Sequence, residues 1–200
     1  MGVTTVVDVT DLLLGFGTMM TLIVAIGAQN TFVLRQGLRR HAVAKVVAVC
    51  AISDAILVTV GVAGFGAIVR RWPQAITVAA IVGGIFLLGY GFLAARRAFH
   101  PSSMDAQDAR TGRPVLTALA LTWLNPHVYL DTLLLLGSIA AGRWLFGVGA
   151  VTASVTWFVA LGFGARLLSP LFAKPRAWRV LDGVIAAVMI SLGVSLIAGW

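Results

Sequence analysis

The chain contains no glutamate; its seven acidic residues are all aspartate. Charge of either sign is scarce, 11% of 200 residues, where a soluble domain carries about 25%. A chain so poor in charge has too little polar surface for a soluble globular protein. Without glutamate there is no His-Glu-x-x-His metalloprotease helix. No P-loop pattern occurs, which argues against ATP use by this chain alone. The Gly-x-Ser-x-Gly elbow is missing too, as is the Gly-x-x-x-Gly pattern of membrane helix dimers. Only one cysteine is present. That residue, Cys50, has no intramolecular disulfide partner and sits in an apolar run, where a small buried hydrophobe is expected.

What the sequence has is apolar length, with 60% of its residues hydrophobic. Runs of about 20 apolar residues recur, as in transmembrane helices. Six can be drawn: 12–34, 46–69, 75–95, 115–140, 145–168 and 180–199. Backbone groups in lipid must bond internally, so each is expected to be helical. Residues 1–11 hold Asp8 and Asp11 and no Lys or Arg, so the first run is expected to stay as a helix and not leave as a cleaved signal.

The net charge of +8 is a membrane footprint and not a nucleic-acid one, because the basic residues fall in short connections between apolar runs. Arg35, Arg39, Arg40 and Lys45 lie in the first connection, Arg96, Arg97, Arg110 and Arg113 in the third, and Arg166, Lys174, Arg176 and Arg179 in the fifth. Only Arg70, Arg71 and Arg143 lie on the other side. The positive-inside rule then places the three rich connections in the cytoplasm and both termini outside. The most polar stretch, residues 99–114, holds His100, Asp105, Asp108 and Pro114 and reads as a loop.

Three segments precede that loop and three follow. The expected fold is an all-α membrane protein, one domain over 1–200, with six transmembrane helices as two inverted three-helix repeats over about 12–98 and 115–199. The leading helix of each half is interrupted, first at Gly27-Ala28-Gln29-Asn30 and then at Asn125-Pro126-His127. Paired interruptions of this kind mark transporter binding sites. A helix end is the plainer reading of the first, and a simple proline kink of the second. Trp123, His127 and Asp131 recur every four residues, so they are expected to share one helix face.

Asp54 and Asp131 are the acids well inside expected spans. An intramembrane carboxylate costs about 3 kcal/mol on insertion scales and is a functional candidate by default. His127 and Asp131 have the spacing of a helical metal-ligand pair, but two ligands are too few for a site, and a hydrogen-bonded pair or proton relay fits better. No cofactor is implied. Two buried aspartates also raise an intramembrane aspartyl protease, but neither lies in the Gly-x-Gly-Asp pattern of such enzymes. A purely structural subunit would not need polar helix breaks in the bilayer. Gly91/Ala95 and Gly149/Ala153 allow close helix contacts, within a subunit or in a homo-oligomer.

The run Ile26-Gly27-Ala28-Gln29-Asn30-Thr31-Phe32-Val33-Leu34-Arg35-Gln36-Gly37 closely resembles the first-helix signature of the lysine/arginine exporter (LysE-type) family. Leu124-Asn125-Pro126-His127-Val128-Tyr129-Leu130-Asp131 resembles its second signature, and Cys50-Ala51-Ile52-Ser53-Asp54-Ala55 its second-helix pattern. The resemblance covers about 12–198. It implies a bacterial inner-membrane exporter of lysine or arginine driven by the proton motive force, with protons and a basic amino acid as its small partners. Related exporters of neutral amino acids carry Pro-Gly-Pro where this chain has Gly27-Ala28-Gln29-Asn30, and more distant relatives look like exporters of metal cations. The candidate substrate-binding or proton-coupling residues are Asp54, Asp131, Gln29, Asn30, Asn125 and His127, with helix breaks at Gly27 and Pro126.

Overall fold

The structure, a computed structural model, describes residues 2–24, 27–64, 73–99, 113–140, 142–168, 170, 172 and 175–198. Ile26, Arg70, Arg71, His100, Asp105, Asp108, Arg110 and Lys174 lie outside the described residues, as does most of the polar connection.

Every described regular element is helical. They are α1 (Gly2–Ile23), α2 (Ala28–Arg39), α3 (Val43–Val62), α4 (Pro73–Phe99), α5 (Pro114–Trp123), α6 (Pro126–Ala140), α7 (Trp144–Gly164, closed by a 3-10 turn over Ala165–Leu168) and α8 (Pro175–Ala198). The sequence of α3 is rich in valine, which in water would favour a strand. In lipid the helix wins because it alone satisfies every backbone group within one segment. Arg40 and Ala42 both adopt left-handed backbone (φ 52° each) to fold α2 sharply back into α3, at about 1–3 kcal/mol per residue.

The chain is a multi-pass membrane protein. Among the described residues, four helices are long and apolar enough to cross a bilayer: Val43–Val62, Ala80–Phe99, Trp144–Leu168 and Arg176–Ala198. Val9–Ile23 and Ala28–Arg39 meet the same standard as a pair, bent by 84° at the break. The segment expected at 115–140 is instead two short helices, Pro114–Trp123 and Pro126–Ala140. Each half therefore has the same order: a broken helix, then two long ones.

Packing gives the helices a common frame. Gly37 near the end of α2 lies against Gly162 and Ala165 at the end of α7. Val62 at the end of α3 lies against Gly147 at the start of α7, and Arg143 just before it pairs with Asp11 of α1 at 2.6 Å. The 21 residues of α7 separate these two ends by about 30 Å, the thickness of the hydrocarbon core. The broken pair α1–α2 follows α7 along its length, meeting Phe146 and Gly149 first, then Trp157, then Gly162. The pair α5–α6 follows α3 in the same way, from Ser53 to Gly61.

Glycine sets how closely these helices approach. A Cβ on Gly15 would stand 1.9 Å from the Phe146 carbonyl oxygen, and one on Gly149 2.0 Å from that of Leu12. Membrane helices associate through such small-residue contacts, because lipid offers no hydrophobic drive between them. Large apolar side chains such as Leu13, Val78, Ile85 and Phe92 point outward. Cys50 is fully buried and free, as its sequence setting implies.

Candidate functional site

The first break opens after Ile23. Gly27 is extended, and α2 restarts at Ala28 with no side-chain cap on Gly27. Side chains reach back to backbone carbonyls on both sides of the break. Asn30 Nδ2 donates to the Ile23 carbonyl at 2.5 Å, and Thr31 Oγ1 donates to that of Gly27 at 2.7 Å. Trp157 Nε1 on α7 in turn donates to Asn30 Oδ1 at 3.1 Å. Asn30 is thus the clamp of the break, held from both sides.

The second break uses different chemistry. Asn125 is extended, and its Oδ1 accepts from the His127 backbone N–H at 3.1 Å, capping α6. Pro126 takes the first helical position, where its missing N–H costs nothing. The tyrosine hydroxyl of Tyr129 donates back to the Trp123 carbonyl at 2.6 Å. The proline therefore begins a new helix and does not kink a continuous one. This corrects the expected common face of Trp123, His127 and Asp131: Trp123 closes α5, while the other two stand on α6. Trp123 Nε1 donates instead to Ser53 Oγ on α3 at 3.1 Å.

Beyond the break, Leu130–Leu136 is wound as a π-helix. Such stretches are uncommon and recur at functional sites. Asp131 lies in its first turn, beside buried Thr132.

Asp54 is 3% exposed on α3, and Ser154 Oγ donates to its Oδ2 at 2.6 Å. Ser154 stands ten residues from either end of α7, so the carboxylate lies about 15 Å from each end. That is the middle of the bilayer frame.

These pieces meet in one cavity of about 280 Å³. Gly27, Gln29 and Asn30 from the first break line it, with Asn125 and His127 from the second, Asp54 from α3 and Asp131 and Thr132 from α6. All six candidate side chains and Gly27 are brought together. Pro126 is buried at the start of α6 and does not line the cavity. Gln29 Nε2 is buried without a hydrogen-bond partner among the described residues; the thiol of Cys50 beside it is a weak acceptor. An unsatisfied buried amide in a cavity wall is a donor available to a ligand. Among the described residues, no group of three His, Cys, Asp or Glu side chains comes together to hold a metal.

Sequence reasoning missed Ser154, Trp157 and Ser53. Thr152 and Thr156 bond back to their own helix and are exposed, whereas Ser154 is buried. The small residues Gly147, Ala150 and Ala153 on the same buried face of α7 were the available signal, because small residues mark the packed side of a membrane helix.

No solved structure matches this chain. The model of the LysE type translocator family matches residues 20–199. A candidate amino-acid transporter of Mycobacterium tuberculosis is 49% identical over 88% of this chain and 91% of its own length. The lysine exporter LysE of Corynebacterium diphtheriae is 36% identical over 92% and 96%. The arginine exporter protein ArgO of Serratia proteamaculans is 39% identical over 93% and 94%. With a family match over nearly the whole chain, and relatives at this identity aligned almost end to end, the chain belongs to the LysE type translocator family.

Proposed function

We propose that the chain exports basic L-amino acids, lysine or arginine, across the bacterial inner membrane in exchange for protons. The observation that carries this reading is the cavity at mid-depth that joins both helix breaks to Asp54 and Asp131. A basic amino acid brings a cationic side chain, an ammonium and a carboxylate. The two aspartates suit the cations, and the Gln29 amide suits the carboxylate. Asn30 and Asn125 are engaged in holding the breaks, so their role is to position, while His127 orients the chemistry around Asp131.

Coupling follows from charge. Moving +1 outward against an inside-negative potential costs about 2.3 kcal/mol per 100 mV. A uniporter would therefore accumulate the substrate inside. Return of one proton for each substrate removes that cost. A carboxylate that holds either the proton or the substrate cation, but not both, performs the exchange.

The topology in this reading is six crossings in two inverted repeats, about 12–98 and 115–199, with both termini outside. Support comes from direction. α2 and α4 end, and α5 and α8 begin, at the end of the molecule where Arg35, Arg97 and Arg113 gather. Arg143, from the sparse set, lies at the far end of α7. Counterflow in proteoliposomes with labelled lysine, arginine, leucine and a divalent cation tests the substrate class. Exchange of leucine or the cation in place of the basic amino acids would overturn it.

A further inference from the structure

A second and larger cavity, about 530 Å³, lies where α2 ends, α4 ends and α5 and α8 begin. Its walls carry Arg35, Arg39, Arg40, Arg97 and Arg113, with His41 at the turn after α2. Among the described residues, the acid that pairs with this cluster is Asp182 of α8, whose Oδ1 lies 3.2 Å from Arg35 and 3.5 Å from Arg97. Five guanidinium groups thus line one pocket, two of them within reach of the Asp182 carboxylate. Helix dipoles do not offset the excess. The C-termini of α2 and α4 meet here with the N-termini of α5 and α8 and, just past the His41 turn, of α3, so the half-charges leave no negative field.

Two details make this a built pocket and not a solvated basic surface. Arg35 is 3% exposed, yet its Nε is buried without a hydrogen-bond partner among the described residues. Aromatic rings brace the walls, with the Arg39 guanidinium 5.6 Å from the Trp178 ring centre and that of Arg97 5.7 Å from Tyr90. Holding like charges together in a half-buried pocket is unfavourable unless an anion joins them. A basic amino acid is a poor occupant, since its own net positive charge is repelled. Guanidinium forks match phosphate oxygens in geometry as well as charge.

We propose that this pocket is an anion site for a phosphate group, filled in the membrane by the headgroup of an anionic phospholipid. Basic pockets between helices at the membrane surface take such headgroups. The site is separate from the Asp54 cavity and stands whether or not the exported substrate is basic.

The test is thermal unfolding of the purified chain in detergent with added short-chain phosphatidylglycerol, phosphatidylcholine or inorganic phosphate. Arg40 and Arg113 are exposed, so Arg40→Gln with Arg113→Gln removes two pocket charges at little risk to the fold. Lys45→Gln with Arg166→Gln removes two exposed charges outside the pocket as a control. Phosphatidylglycerol is expected to raise Tm where phosphatidylcholine does not. The pocket variant should need at least tenfold more of it, and the control variant should match wild type. If inorganic phosphate competes with the lipid, the site reads the phosphate alone; if it has no effect, the lipid body contributes too. Both support the proposal. Equal stabilisation by the two lipids, or equal loss in the two variants, overturns it.

Discussion

Asp54→Asn isolates the carboxylate from everything else in the cavity. Asn is nearly isosteric, and its Oδ1 can still accept from Ser154, so the 2.6 Å hydrogen bond has a successor. What disappears is the charge and the ability to exchange a proton. With one-for-one coupling, the membrane potential does no work on the cycle. Without it, about 2.3 kcal/mol per 100 mV opposes export, which at 1.4 kcal/mol per decade is a ratio of about 50-fold in favour of the inside. Proteoliposomes loaded with labelled lysine or arginine, under a set pH gradient and a clamped potential, read this directly. Wild type is expected to drive net export, and Asp54→Asn to lose it while still inserting. Ser154→Ala keeps the carboxylate but removes a hydrogen bond to a charged group. Such bonds are worth about 1.5–3 kcal/mol, so transport should fall about 10- to 100-fold without changing the direction set by the gradient. An Asp54→Asn protein exporting at near wild-type rates refutes the coupling role.

Asp131→Asn should abolish net export in the same vesicles, and His127→Ala should weaken it less, since His127 acts through Asp131; equal losses in the two would place His127 in direct contact with substrate. For topology, single cysteines at residues 2 and 200 in a Cys50→Ser background should both label from outside intact cells, and protection of both would sink the orientation. Gly149→Val should destabilise the α1–α7 contact by about 1–3 kcal/mol, read as a fall in Tm in detergent, because any Cβ there meets the Leu12 carbonyl at 2.0 Å; an unchanged Tm would mean that α1 does not need this close approach.

The parts of the site legible in the sequence were those that are costly in lipid wherever they pack. Two adjacent amides, a proline and two aspartates in apolar runs signal themselves locally; the structure gathers the amides and the aspartates in one cavity and buries the proline at the start of α6. Helical character was legible for the same reason. The partners were not. Ser154, Ser53 and Trp157 are ordinary residues in apolar helices until tertiary packing turns them toward Asp54, Trp123 and Asn30. The form of the second break was also hidden, because a proline preceded by asparagine can either kink a helix or begin one. Only the Asn125 cap on the His127 N–H decides it. The basic pocket is not legible in the sequence because its arginines come from three separated stretches that only packing brings together.

The inverted-repeat arrangement proposed above is tested by where the two halves pack alike and where they do not. Gly84 and Gly193 lie in the third helix of each half, and a Cβ on either would stand 3.0 Å from the other's carbonyl oxygen. That reciprocity is what a contact on a two-fold axis requires. The middle helices α3 and α7 touch near their midpoints as well, but there the pair is Asp54 with Ser154. The broken helices differ in the opposite sense: the second brings Asp131 to the cavity, and the first brings Gln29 and Asn30. Each half thus supplies one carboxylate, on a different helix. A symmetric pair at either position would set like charges face to face, or leave one helix without an acid. In the proposed repeat, small residues at the crossing are paired because close approach is needed by both partners, whereas the polar lining differs between the halves so that one chamber carries two carboxylates in distinct settings.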